Sequence, residues 1–157
     1  MSYIQIKDDE VRQAFALAVS RLTNTEPLAA DIERVLISQS LQNFHANGRP
    51  KWAGLSPVTR AIYSKRGIKP QGILQISGAL RDSVQGDHDN DSVTIGAGSG
   101  ASSAYAAIHM FGGQAGRVHK VKIPARPYLP FLNGYLQPEA ETAVSFVASR
   151  YLSKLFD

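Results

Sequence analysis

Residues 117–131 read RVHKVKIPARPYLPF. Over 117–123 polar and apolar side chains alternate, which is the signature of a strand with one covered face. Pro124, Pro127 and Pro130 then follow, and a residue without a backbone N–H cannot take part in a central ladder. The strand must therefore be short and the segment after it must leave the sheet. Upstream, ALRDSV (79–84) and DSVTI (91–95) also alternate and read as a hairpin, with the polar stretch GDHDN (86–90) as its turn. YIQIK (3–7) could add a short edge strand.

Helices flank this region. Asp8 or Asp9 can cap a helix running to about Leu22, with Val11, Phe15, Val19 and Leu22 on one face. Asn24 to Pro27 breaks the chain. A second helix is expected from about Leu28 to Asn47, ending at Gly48. Its wide apolar stripe, Ile32, Val35, Leu36, Leu41 and Phe44, predicts packing against more than one element. Within the basic loop 48–72, Ser56 and Pro57 start a short helix to about Lys65. GAGSGAS (96–102) is expected to be a mobile loop, and SAYAAIHMF (103–111) a helical turn that ends at Gly112 and Gly113. Pro138 opens a last helix to about Phe156, with Val144, Val147, Ala148, Tyr151 and Leu155 inward. The pattern is α+β: N-terminal and C-terminal helices packed on a small, mostly antiparallel sheet. The 157 residues fit a single domain 1–157, helical over 1–48, sheet and loops over 49–131, and a helix over 136–157.

The chain has no cysteine, which removes disulfides, thiolate metal sites and thiol nucleophiles. It begins with an acidic stretch where a secretory signal would be apolar, and no apolar run reaches the ~20 residues of a membrane span. A soluble protein made in the cytoplasm is expected. The net charge is +4. No acid lies between Glu33 and Asp82 or between Asp91 and Glu139, although both stretches carry Lys and Arg. Such segregation creates one-signed patches that attract polyanions or acidic partners, and a plain solvated surface would look the same.

Catalytic signatures are missing. Gly96, Gly98 and Ala101 fit G-x-G-x-x-A, but the acid that should follow about 20 residues later is replaced by the basic stretch 117–122. Asp87, Asp89 and Asp91 begin like a calcium loop, but Ser92 stands at the glycine position and Gly98 at that of the bidentate glutamate. His45, His88, His109 and His119 have no i, i+4 ligand partner. No enzyme, metal or cofactor is expected. Trp52, beside Lys51, could stack on a partner, but large aromatics are usually buried and an anchoring role in the chain's own core is favoured.

Five segments in order carry more than periodicity does: KWAGLSPVT (51–59), ILQISGALRDSV (73–84), VTIGAG (93–98), YAAIHMFGG (105–113) and IPARPYLPF (123–131). This succession resembles the phage virion morphogenesis family, the Mu-like tail completion proteins. The likeness covers about residues 50–131. Met110 departs from it where a polar residue is usual, and Pro130 where glycine is. The resemblance implies a structural protein of the virion. It would complete the head-proximal end of the tail, or the neck, so that tail and head can join.

Related neck and terminator proteins form rings, often of six subunits, around a DNA channel. The implied partners are therefore other copies of the chain, the tail tube or terminator, the neck or connector, and passing DNA through phosphates alone. The candidate interface or channel residues are Arg117, Lys120, Lys122, Arg126, Tyr128, Trp52 and Lys51. Arg126, between two prolines, is expected to meet a carboxylate of a neighbouring subunit, such as Asp8, Asp9, Glu10, Glu139 or Glu141, because an unpaired buried charge is costly. The alternative is a non-sequence-specific nucleic-acid-binding module using the basic segments 49–69 and 117–126.

Overall fold

The computed structural model describes residues 9–99, 102–116 and 121–155. The edge strand expected at 3–7 and residues 117–120 lie outside these. Helix α1 (Asp9–Thr23) and helix α2 (Glu26–Ala46) meet at a two-residue break. Helix α2 ends on Asn47 in the left-handed conformation, followed by Gly48 at φ +100°. Gly48 is required: a Cβ there would lie 2.4 Å from the Trp52 ring.

One side of α2 is buried through Ala29, Leu36, Ser40, Asn43 and Phe44. It packs along helix α6 (Pro138–Ser153) and also against a hairpin of β1 (Gln85–His88) and β2 (Val93–Gly96). Helix α2 thus meets more than one element, as its wide apolar stripe predicts.

The hairpin is real but shifted. Residues 79–84 do not form its first strand; Ala79–Asp82 is a short helix, α4, which follows α3 (Pro57–Lys65). The reason is a periodicity with two readings. Leu80, Ser83 and Val84 alternate poorly but share a helical face, and the first two are buried. Part of the expected turn becomes β1, paired antiparallel with Gln85 opposite Gly96 and His88 opposite Val93. The turn itself is made by Asp89, whose Oδ1 accepts the backbone N–H of Asp91 and of Ser92, each at 2.7 Å. Those bonds hold the Asp89 carboxyl below its ordinary pKa.

Two further ladders follow helix α5 (Ser103–Phe111). Strand β3 (Gly113–Ala115) pairs with β4 (Val121–Ile123), and β5 (Phe131–Leu132) with β6 (Tyr135–Leu136). Between β5 and β6, Asn133 and Gly134 both have positive φ, at 53° and 84°. That is the Asn-Gly turn whose twist suits a two-residue hairpin. The class is α+β, and among the described residues the strands form three separate two-stranded antiparallel ladders in place of one central sheet.

The core is centred on Phe44. Tyr128 stacks on it at 5.5 Å and Trp52 meets it edge-on at 5.9 Å, with Leu80, Ala106 and Met110 around them. Trp52 is thus an anchor in the chain's own core. The proline segment 124–130 passes through this centre outside any ladder, and side chains supply several of its hydrogen bonds. Trp52 Nε1 donates to Pro127 O (3.2 Å), Asn43 Nδ2 to Tyr128 O (3.2 Å), and Tyr128 Oη to Ala106 O (2.9 Å). Asn43 Nδ2 also donates to Gln137 Oε1, and the Gln137 backbone N–H to Pro130 O. Of the apolar residues of 123–131, Tyr128 is buried in this core and Leu129 and Phe131 pack against it.

The glycine–serine loop is also more tightly held than its composition predicts. Gly98 N–H donates to Ser83 Oγ (2.8 Å), Ser99 N–H to Ser102 Oγ (3.0 Å), and Ser102 is buried. Gly100 and Ala101 lie outside the described residues.

Candidate functional site

Four of the five family-like segments border one cleft of about 570 Å³. Leu55, Ser56 and Thr59 come from the first segment, with Tyr63 further along α3. Leu74, Ile76 and Leu80 come from the second, Tyr105 and His109 from α5, and Ile123, Pro124 and Arg126 from the proline segment. Each is placed by local chemistry. Ser56 caps α3 by accepting the Thr59 N–H (3.1 Å), with Pro57 in the first turn. Gly112, at φ +74°, lets α5 stop against the proline segment; a Cβ there would lie 2.9 Å from Ala125 N. The Arg126 backbone N–H then donates to His109 O at 2.7 Å.

Arg126 lies at the floor of this cleft and is only 6% exposed. Its Nε donates to Ala53 O (3.1 Å) and its Nη2 to Gly54 O (3.3 Å). Within its own chain the compensation for burial comes from these two backbone carbonyls, and the expected carboxylate of a neighbouring subunit would have to come from a second copy. Among the described residues no acid forms an ion pair with it. Burial pushes its pKa down, with Tyr63 opposing. Beside it, His109 packs edge-on against Tyr105, ring centres 5.7 Å apart, and its Nδ1 is buried without a partner among the described residues. Burial first, and the Arg126 charge second, push the His109 pKa down from 6.5 and favour the neutral imidazole.

That shift has a testable sign. The unfolded chain takes up a proton on His109 more readily than the folded one, so acid favours unfolding. Stability should fall as pH drops below 6.5, the ordinary value. Thermal melts between pH 7.5 and 5.5 should show a smaller loss for His109→Gln than for the parent chain. Equal losses would mean that His109 titrates normally.

Of the sequence candidates, Arg126 and Lys122 border the cleft. Trp52 and Tyr128 are buried behind it in the core, and burial raises the Tyr128 phenol pKa. Lys51 is exposed beside Trp52, and Arg117 and Lys120 fall outside the described residues. The basic segment 49–69 is not uniformly free. Arg49 is tied to Asn43, Gln42 and Gln39, and Arg60 donates to Leu55 O at 2.6 Å. Sequence reasoning missed His109, Tyr105 and Tyr63 as site residues. The first two sit inside the fourth segment, where their recurrence within one motif was the available signal.

No helix among the described residues is long and apolar enough to cross a membrane. No solved structure matches the chain. It is similar to the Mu-like prophage FluMu G protein 2 of Haemophilus influenzae, with 32% identity over 120 residues and 76% of each chain covered. The model of the phage virion morphogenesis family matches residues 6–153. The chain belongs to the phage virion morphogenesis family, and its part is in building the phage particle.

Proposed function

We propose that this protein completes the head-proximal end of the tail, or the neck, so that a finished tail can join a filled head, and that it acts as a ring of identical subunits without catalysis. The observation that carries the reading is the cleft. Segments from four distant parts of a virion morphogenesis chain converge on an apolar surface with cationic side chains. A structural joint needs such a surface for a protein partner. A ring subunit also needs two different faces that fit each other head to tail. Lys51, Lys65 and Lys69 are exposed and available to phosphates of DNA passing through such a ring, without reading sequence.

The test is genetic and visual. Inactivating the gene in an inducible lysogen and examining the lysate by electron microscopy should give filled heads and separate tails, with infectious particles restored by the gene supplied in trans. Normal joined particles in the absence of the protein would overturn the reading.

A further inference from the structure

Helix α1 carries a face that the fold leaves bare. Phe15, Val19 and Leu22 recur at helical spacing and form the one apolar face that the sequence predicts, and Phe15 is 68% exposed, with Val19, Leu22 and the adjacent Leu17 exposed as well. The face spans about 10 Å along the axis. The helix is tied to the body at its C-terminal end, where Tyr151 Oη donates to Arg21 O (2.6 Å) and to Asn24 O (2.9 Å). It projects as an arm. A contiguous exposed apolar face on a helix marks a docking surface.

The cleft is the matching surface in the same chain. Its rim is apolar and open: Ile76 is exposed, and Val121 is 58% exposed. Among the described residues its lining includes no Asp or Glu, while Lys122, Arg126 and His109 all border it. Among the described residues Arg126 has carbonyl partners and no carboxylate. Helix α1 brings what is missing, because its first turn carries Asp9 and Glu10 ahead of the apolar face.

We propose that α1 of one copy seats its Phe15–Val19–Leu22 face in the cleft of the next copy, with its N-terminal end, where the sequence is acidic, at the basic side of that cleft. The two surfaces are different, so the contact is heterologous and passes from copy to copy until a ring closes. This rests on the ring reading above and names the contact that would build it.

The test uses the full chain and three forms in sedimentation velocity: the parent, an arm variant (Phe15→Asp with Val19→Asp) and a cleft variant (Ile76→Asp). All three positions are exposed, so each variant should fold as the parent does. The parent should form assemblies larger than dimers. Each variant alone should be monomeric. An equimolar mixture should form dimers, because one intact arm and one intact cleft remain.

If the parent associates but the mixture stays monomeric, the arm–cleft contact is wrong while the ring reading stands. An arm variant that assembles like the parent is equally fatal to the contact. A parent that stays monomeric overturns both the contact and self-assembly of the free subunit, and the lysate experiment still decides the joining role. As a second measurement, the chain lacks cysteine. Phe15→Cys mixed with Val121→Cys should therefore give a disulfide-linked dimer under mild oxidation. The absence of that product, with both variants folded, also counts against the contact.

Discussion

Phe44→Ala should destabilise the protein by about 3–5 kcal/mol, the usual cost of removing a buried aromatic ring from a packed core. Phe44 is fully buried and is the ring on which both Tyr128 and Trp52 rest. Its loss removes buried apolar area and both aromatic contacts, and the proline segment that carries Tyr128 cannot close the gap. The bonds from Asn43 to Tyr128 O and from Trp52 to Pro127 O hold that segment where it is. For a domain of this size the midpoint of thermal unfolding should drop by on the order of 10 °C. Trp52 is the chain's single tryptophan, so its emission reports the same site and should shift to longer wavelength as its ring loses cover. A change of less than about 3 °C, with Trp52 emission unmoved, would show that the core is not organised around this ring.

What was readable in the sequence was whatever local chemistry decides. Ser56 and Pro57 announce α3, Pro138 announces α6, and the Asn47–Gly48 pair ends α2, because caps and fixed φ angles act within one turn. The six residues 79–84 were misread because a short run with Leu80 and Val84 satisfies both periods; burial of Leu80 against Phe44 settles it, and that contact is not local. Asn133–Gly134 was a legible hairpin signal masked by the prolines before it. The path of 126–130 was not legible at all. Its hydrogen bonds run to Asn43, Trp52, His109 and Gln137, residues separated from it by up to 85 positions, and such distant partners, side chain or backbone, leave no periodic trace. The cleft shows the same limit. Each of its segments stands out in the sequence, but their convergence depends on that threading.

Arg126 separates the structural part of the cleft from its binding part. In the free chain it makes two bonds from a charged group to carbonyls and buries its stem, so Arg126→Ala should cost about 1–3 kcal/mol. Arg126→Lys should also lose stability, because a single ammonium cannot reproduce the fork that reaches Ala53 O and Gly54 O together. Arg126→Met is the informative case. It keeps the packing volume and removes a charge whose desolvation is unfavourable, and both carbonyls belong to exposed residues that water can reach. Its stability should stay within about 1 kcal/mol of the parent, read by thermal and denaturant melts. If the guanidinium serves an acidic partner, the Met variant should fold normally yet fail to self-associate or to restore joined particles in trans. A Met variant that folds and also assembles would reduce Arg126 to a strut of the 53–54 loop, and one that unfolds would show that the two carbonyl bonds are indispensable to the fold itself.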